Sequence, residues 1–301
     1  MKSDLGFKAI VEGFAFLEDE KFGIASGDLS DALPFFDKRQ RQGGLCSIDE
    51  ASGVERSNPN LILESYKSAV VLFKKYPVYN LSEQQDTGQI ASLAVGEDYH
   101  RVHKRRLSAI ADMLSDKIGG FEYKICVDTT PLLDRQMAFQ TGLVFYGKHQ
   151  QVILPEWGAG FSIGYLLTNQ RIDQQISLMV PLCGDCKRCI EACPTQALSE
   201  DGFLSHRCIS YISQKKGDLS DFETSTFKSY VYGCDICLLA CPYTQIEKEI
   251  ASQAMVNVSE TALQSNSEIK ATFRDSAILW KGASLIRRNA SLILNNKGRN
   301  Y

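Results

Sequence analysis

Of the ten cysteines in this 301-residue chain, all but Cys46 and Cys126 fall between residues 183 and 241. Residues 183–194 read CGDCKRCIEACP, residues 234–242 read CDICLLACP, and Cys208 stands between them. The first run has the Cys-x2-Cys-x2-Cys-x3-Cys-Pro spacing of cubane [4Fe–4S] ligation: three thiolates in a tight loop hold three corners of one cluster, and the fourth, before proline, turns to a second cluster. Such ligation constrains a chain strongly, because metal–thiolate bonds replace much of an ordinary core. The ligand arithmetic closes at eight. Cys183, Cys186, Cys189 and Cys241 serve one cubane. Cys193, Cys234 and Cys237 serve the other, and Cys208 is the spare thiol for its open corner. A chain built this way moves single electrons.

Zinc fits less well, since it favours paired Cys-x2-4-Cys knuckles separated by a longer arm. Disulfides need an oxidising compartment. The opening MKSDLGFKAIVEGFAFLEDEKF carries charge every few residues and no apolar core of a secretory leader, so a cytoplasmic location is expected. Cys126 lies in an apolar run and reads as a buried core thiol, whereas Cys46 has no evident partner.

The composition, 44% hydrophobic and 23% charged, is that of a globular chain. No apolar stretch approaches the ~20 residues that span a bilayer. With a net charge of −3, the field of the whole molecule does not attract polyanions, and any nucleic acid must meet a local basic patch. Two sets of residues could form one: Arg101, His103, Lys104, Arg105 and Arg106, and then Lys281, Arg287, Arg288, Lys297 and Arg299. Composition alone reads both as solvated helix faces.

Along the chain, residues 1–20 pattern as an amphipathic helix and 68–73 (SAVVLF) as a buried strand. Residues 78–92 lack periodicity and read as a loop. Residues 98–118 form a helix stopped by Gly119-Gly120. A strand over 122–128 leads into Thr130 as N-cap and Pro131 as first residue of a helix to about Gln140. Strands follow at 150–154 and 161–167, and residues 258–296 are helical. The layout is an α/β (α+β) domain over 1–178, a ferredoxin-like two-[4Fe–4S] module over 179–245, and a helical C-terminal segment over 246–301. No Gly-rich dinucleotide loop follows a strand. The cobalamin signature Asp-x-His-x-x-Gly is incomplete: Asp98-Tyr99-His100 begins it, but His103 stands where glycine should.

The segments GEDYH (96–100), VDTTPLLDRQMAFQTGLVFYGKHQQVI (127–153), RCISY (207–211) and YGCDICLLACPY (232–243) together resemble epoxyqueuosine reductase, over roughly Phe35 to Asn295. The chain is similar to a short form lacking the C-terminal helical repeats of longer members. It departs from the family at Leu45-Cys46-Ser47 and at residues 91–94, which read Ala-Ser-Leu-Ala. The resemblance implies cobalamin in the α/β domain beside two [4Fe–4S] clusters, bound without a protein histidine on cobalt. It implies reduction of the epoxide of epoxyqueuosine, in the anticodon loop of tRNA, to the alkene of queuosine. It assigns the proton donor to Asp128, whose carboxyl should be partly desolvated to hold a proton near neutral pH. Arg56, His149, Val152, Ile163, Ser210 and Asp235 fall at positions that line the cobalamin. An external low-potential electron donor and a monomer with no membrane association are also expected. Two other readings share the cysteine array: a corrinoid and iron–sulfur reductase with another substrate, such as an organohalide, and a non-enzymatic ferredoxin-like carrier.

Overall fold

The computed structural model of the protein describes residues 5–25, 29–44, 51–82, 86–172, 176–249 and 251–298. Cys46, the Leu45-Cys46-Ser47 departure and Arg299 lie outside the described residues. The chain divides into two compact units, one of residues 1–76 and 100–186, the other of residues 77–99 and 187–301.

The first unit is built on an antiparallel sheet of β1 (Glu20–Ala25), β2 (Ser68–Lys75), β3 (Tyr123–Cys126) and β4 (Phe161–Thr168), in the order β1-β2-β4-β3. β2 is a continuous apolar run because both faces of the sheet are covered. Val70, Val71, Leu72 and Phe73 are all buried. Residues of alternate parity face opposite sides. Val71, Phe73, Cys126, Tyr165 and Leu167 join one core cluster with Leu132, Met137 and Trp157. On the other face, Ser162 and Gly164 of β4 meet His103 of the long helix Tyr99–Lys117, which buries Leu107, Ile110, Ala111 and Leu114. A Cβ on Gly164 would stand 2.6 Å from His103 Nδ1, so this crossing needs glycine.

Several elements differ from their sequence reading. Among the described residues, the helix expected over 1–20 is Leu5–Glu12, and Glu20 opens β1 instead. Glu20 is drawn into the sheet by Arg106, whose Nη2 lies 2.7 Å from Oε2, and by Lys74 Nζ at 3.7 Å from Oε1. The helix expected from Pro131 starts only at Asp134 and ends at Phe139; Leu133 precedes it with no side-chain cap. Thr130 is not a cap, because residues 127–133 are taken up by a turn.

The second unit holds a three-stranded sheet in which Thr87–Ile90 runs parallel to Tyr230–Tyr232 and antiparallel to Met255–Asn257. Residues 78–92, read as a loop, therefore contain a central strand. Thr87-Gly88-Gln89-Ile90 has no hydrophobic alternation to announce it. It is recruited by close packing, since a Cβ on Gly88 would lie 2.3 Å from Val231 Cγ2. Among the described residues, the helical tail holds the α-helices Val258–Leu263, Asn266–Thr272 and Ala283–Gly298. Residues 246–301, expected as a third segment, fall within the second compact unit. Val258, Ile269, Ile286, Ala290 and Ile293 share one core cluster with Ile212, Phe227 and Val231. Asn289 Nδ2, fully buried, donates to Ser213 O at 2.7 Å and to Val231 O at 2.8 Å.

Candidate active site

Asp128 stands where β3 gives way to the turn. Its φ is +53°, a left-handed conformation that Asp tolerates better than most residues and that recurs at functional sites. The helix Gly53–Arg56, closed by a reciprocal capping box between Ser52 and Glu55, supports this turn: Leu133 N donates to Arg56 O at 3.0 Å. His100 Nε2 lies 3.5 Å from Asp128 Oδ2. The Asp128 side chain is 59% exposed, so the protein itself does not desolvate it as expected.

A second carboxyl stands near the first. Asp134 opens the short helix, and its Oδ1 accepts from Tyr165 Oη at 2.6 Å. Burial is the main cause that pushes Asp134 up to about 7, with the Asp128 charge adding to it, against the Tyr165 hydrogen bond and the Arg135 and Arg56 charges. Tyr165 is fully buried, so its hydroxyl stays protonated and remains a donor. Sequence reasoning did not single out Asp134, Tyr165 or Arg135. The Leu-Leu-Asp-Arg stretch after the Val-Asp element was the available signal.

Arg135 also holds the loop that carries His149. Its Nη1 donates to Gln150 O at 2.7 Å, and Gly147 N and Gln151 O close the loop at 2.9 Å. Gly147 is required here, since a Cβ would lie 2.7 Å from His149 Cε1. His149 is buried. Burial, then the Arg135 charge, lowers it to about 4 and keeps the ring neutral. Its Nδ1 accepts from Gln151 N at 3.1 Å, which puts the ring hydrogen on Nε2. That Nε2 is buried with no hydrogen-bond partner among the described residues. Val152 is 3% exposed and belongs to the sheet core, and Ile163 packs on the same core opposite Phe73. Both have packing roles that the strand pattern alone explains.

The division between units falls within the first cysteine run, after Cys186. In the first unit, Cys186 N donates to Cys183 O at 3.0 Å, and Lys148 Nζ donates to Gly184 O at 2.7 Å. In the second, the short helices Arg188–Glu191 and Ile236–Leu239 pack together and bring thiols into mutual range. Burial first, then the neighbouring Cys208, Asp235, Cys193 and Cys189, push Cys237 up to about 12. Cys234 is raised well above the ordinary thiol range by burial, with Cys208 and Cys237 adding to it. Crowded buried thiols of this kind ionise when a metal supplies compensating charge. Cys193 behaves differently. Burial would raise it, but hydrogen bonds from Thr195 Oγ1 and from the amides of Leu198, Ala197 and Thr195 hold it below the usual range. Among the described residues, no three thiol, imidazole or carboxylate groups converge on one ion position.

Ser210 follows Cys208, and its carbonyl accepts from Ser213 Oγ at 3.0 Å and Gln214 Nε2 at 2.9 Å. Asp235 is buried and accepts from Ser92 N at 2.6 Å. Its carboxylate thus fixes the Ala-Ser-Leu-Ala segment. The basic clusters are partly consumed by structure. Arg106 pairs with Glu20, and His103 is fully buried, lowered to about 4 chiefly by burial. Arg287 and Arg288 donate to backbone carbonyls of Gln264 and Lys215, and Lys297 to that of Thr87. Arg101, Lys104 and Arg105 are exposed.

Residues 182–244 match the family described as 4Fe-4S double cluster binding domain, which puts the chain in the class of iron–sulfur redox proteins. Residues 56–129, from Arg56 through Asp128, match the family described as Epoxyqueuosine reductase QueG, DUF1730. The chain is 31% identical over 299 residues to an epoxyqueuosine reductase of Lactococcus garvieae, covering 94% of this chain and 84% of that one. It is 30% identical over 295 residues to that of Bacillus subtilis, covering 91% and 75%. The structure of epoxyqueuosine reductase from Streptococcus thermophilus superposes with a TM-score of 0.85 at 29% identity, over 99% of this chain and 82% of that one. An epoxyqueuosine reductase crystallised with an epoxyqueuosine-modified tRNA-Tyr stem loop superposes with a TM-score of 0.88 at 26% identity, over 98% and 82%. The chain belongs to the epoxyqueuosine reductase family. Among the described residues, no helix is long and apolar enough to cross a membrane.

Proposed function

We propose that this chain reduces the epoxide of epoxyqueuosine in the anticodon loop of tRNA to the alkene of queuosine, with electrons passing from an external low-potential donor through two [4Fe–4S] clusters to bound cobalamin. The observation that carries the reading is Asp128: a carboxyl held in a left-handed turn beside His100, inside the segment that matches the family and on the same chain as a double-cluster module. The cytoplasm, where tRNA is found, is the setting this reading requires.

Removing an epoxide oxygen as water takes two electrons and two protons. The residues of the chain supply the protons and the orientation. Asp128 carries the proton that meets the oxygen as its bond to carbon breaks, and its exposure leaves it accessible to a base presented from outside the fold. The substrate covers the turn, desolvates the carboxyl and so favours its protonated form. Arg56, through its backbone contact with Leu133, keeps the turn in place.

The donor set fits a bound cobalamin. His149 offers a buried Nε2–H with no acceptor among the described residues, suited to a polar side group of a large cofactor. Ile163, partly buried, offers apolar surface and Arg56 a cation, Val152 backs the site from the core, and Ser210 and Asp235 follow Cys208 and Cys234 by two residues and one. Neutral His149 is suited to hydrogen bonding. When bound, cobalamin supplies the reactive centre that delivers electrons to the epoxide carbon. In this reading Cys183, Cys186, Cys189 and Cys241 ligate one cluster and Cys193, Cys208, Cys234 and Cys237 the other.

Complementation tests the reading. In a strain lacking its own epoxyqueuosine reductase, expression of this chain should convert tRNA epoxyqueuosine to queuosine, read by nucleoside mass spectrometry. Asp128→Asn should lower conversion by about 10²-fold or more while the iron content of the purified protein is unchanged. Persistence of epoxyqueuosine with the intact chain favours a reductase of other substrates. Full conversion by the Asp128→Asn variant would remove that residue from its role.

A further inference from the structure

The reaction consumes two protons, and a single carboxyl carries one. Asp128 must therefore be reloaded within each turnover or leave the second proton to chance encounter with water. The structure offers a neighbour for this. His100 Nε2 stands 3.5 Å from Asp128 Oδ2, a separation that a small closing motion brings within hydrogen-bond reach, as with many catalytic pairs in the absence of substrate. The ring is held by its helix. His103, one turn on and on the same helix face, is fully buried and bonded to Ser162 Oγ at 2.8 Å. The His100 side chain is 17% exposed while Nε2 itself is buried, so solvent reaches the ring away from the atom that faces Asp128.

Resting on the proposed epoxide reduction, we propose that His100 is the group that reprotonates Asp128 during turnover, acting through the carboxyl and not on the substrate. The steps balance. Asp128 gives its proton to the epoxide oxygen as the first C–O bond breaks, and two electrons from the low-potential one-electron donor, delivered in turn, reside on the carbon. Imidazolium Nε2–H then passes its proton to Oδ2. Asp128 gives this second proton to the hydroxyl as the second C–O bond breaks, the carbon electron pair becomes the double bond, and water leaves. After water leaves, two protons from solvent restore Asp128 and His100 for the next turnover. The charged and titratable groups around the pair are His103 on the His100 side and Asp134 and Tyr165 on the Asp128 side, with Arg56 and Arg135 acting on Asp134. Asp134 is the other candidate donor, but its Oδ1 is engaged by Tyr165, whereas His100 faces Asp128 with a ring that is partly exposed.

The test uses cluster- and cobalamin-loaded enzyme with His100→Ala and His100→Gln. Both variants should keep wild-type iron content and the wild-type KM for epoxyqueuosine tRNA, and lose about a hundredfold in kcat. Free imidazole should restore part of the His100→Ala rate, more at pH 6 than at pH 8, because the imidazolium is the donor; a packing role gives no such dependence. A kcat within twofold of wild type in both variants, or rescue indifferent to pH, overturns the proposal. A second readout does not depend on turnover. The ring ¹⁵N resonances of His100 at neutral pH should move toward the neutral-imidazole pattern in Asp128→Asn, since the variant removes the charge that favours the imidazolium. Unmoved resonances overturn the pairing. If the wild type fails to convert its tRNA while the resonances still move, the substrate assignment has failed and the coupled pair stands.

Discussion

Three buried titratable side chains set how the first unit responds to pH. His103 and His149 are lowered to about 4, chiefly by burial, from about 6.5 in an unfolded chain. Between those values the unfolded chain binds protons that the folded one refuses. Their contribution is whole above about pH 6.5 and is lost as pH falls toward 4. Asp134 acts in the opposite sense. Burial raises it to about 7 from about 3.9, so its contribution is whole at low pH and shrinks as pH rises toward 7. Two histidines outweigh one carboxyl. From pH 7 to pH 5 we expect a net loss on the order of 1–2 kcal/mol, measured by anaerobic urea unfolding of the cluster-loaded chain. Asp134→Asn keeps an acceptor for Tyr165 and removes the opposing contribution, so the same acid loss should steepen to about 4 kcal/mol. An unchanged slope in that variant would show that Asp134 takes up no proton between pH 7 and pH 5.

Between elements, stability rests on a few contacts that bridge distant parts of the sequence. Asn289 satisfies two carbonyls, of Ser213 and Val231. Asn289→Ala leaves both buried and unpaired, and unfolding should become easier by about 2–4 kcal/mol, read as a lower urea midpoint. Gly233, next to Cys234, has φ of +69°, and a Cβ there would lie 2.4 Å from Ala91 Cβ. Gly233→Ala should displace the Cys234 loop and lower iron per chain, with a stability cost of about 1–3 kcal/mol. What was legible in sequence follows the range of the cause. The apolar run 68–73 and the helix over 98–118 declare themselves by local periodicity, and Cys126 by its apolar neighbours. The turn at Asp128 was misread because Thr130-Pro131 is a good local helix start that the left-handed turn and the Arg56–Leu133 contact override. The strand Thr87–Ile90 and the Asp235–Ser92 bond depend on partners more than a hundred residues away, and nothing local encodes them. Tyr165 faces Asp134 only because of sheet parity, which needs the register of β4 to be known.

At the scale of the molecule, the cysteine array was sufficient to name the cofactor class but not the organisation of the chain. Three consecutive domains were expected, whereas residues 77–99 leave the first unit to supply the central strand of the second, and the terminal helices complete its core. The substrate was legible only through the family motifs, since the basic residues of the two clusters are divided between exposed side chains, such as Arg101, Lys104 and Arg105, and ones engaged by Glu20 or backbone carbonyls. The most direct test of the account is conversion in vitro. Anaerobically purified chain carrying about eight irons is supplied with cobalamin and a low-potential one-electron reductant, then incubated with tRNA bearing epoxyqueuosine, and the digested nucleosides are resolved by mass spectrometry. The account predicts queuosine in amounts that exceed the enzyme, dependent on added cobalamin. Epoxyqueuosine recovered intact from fully loaded protein would contradict it.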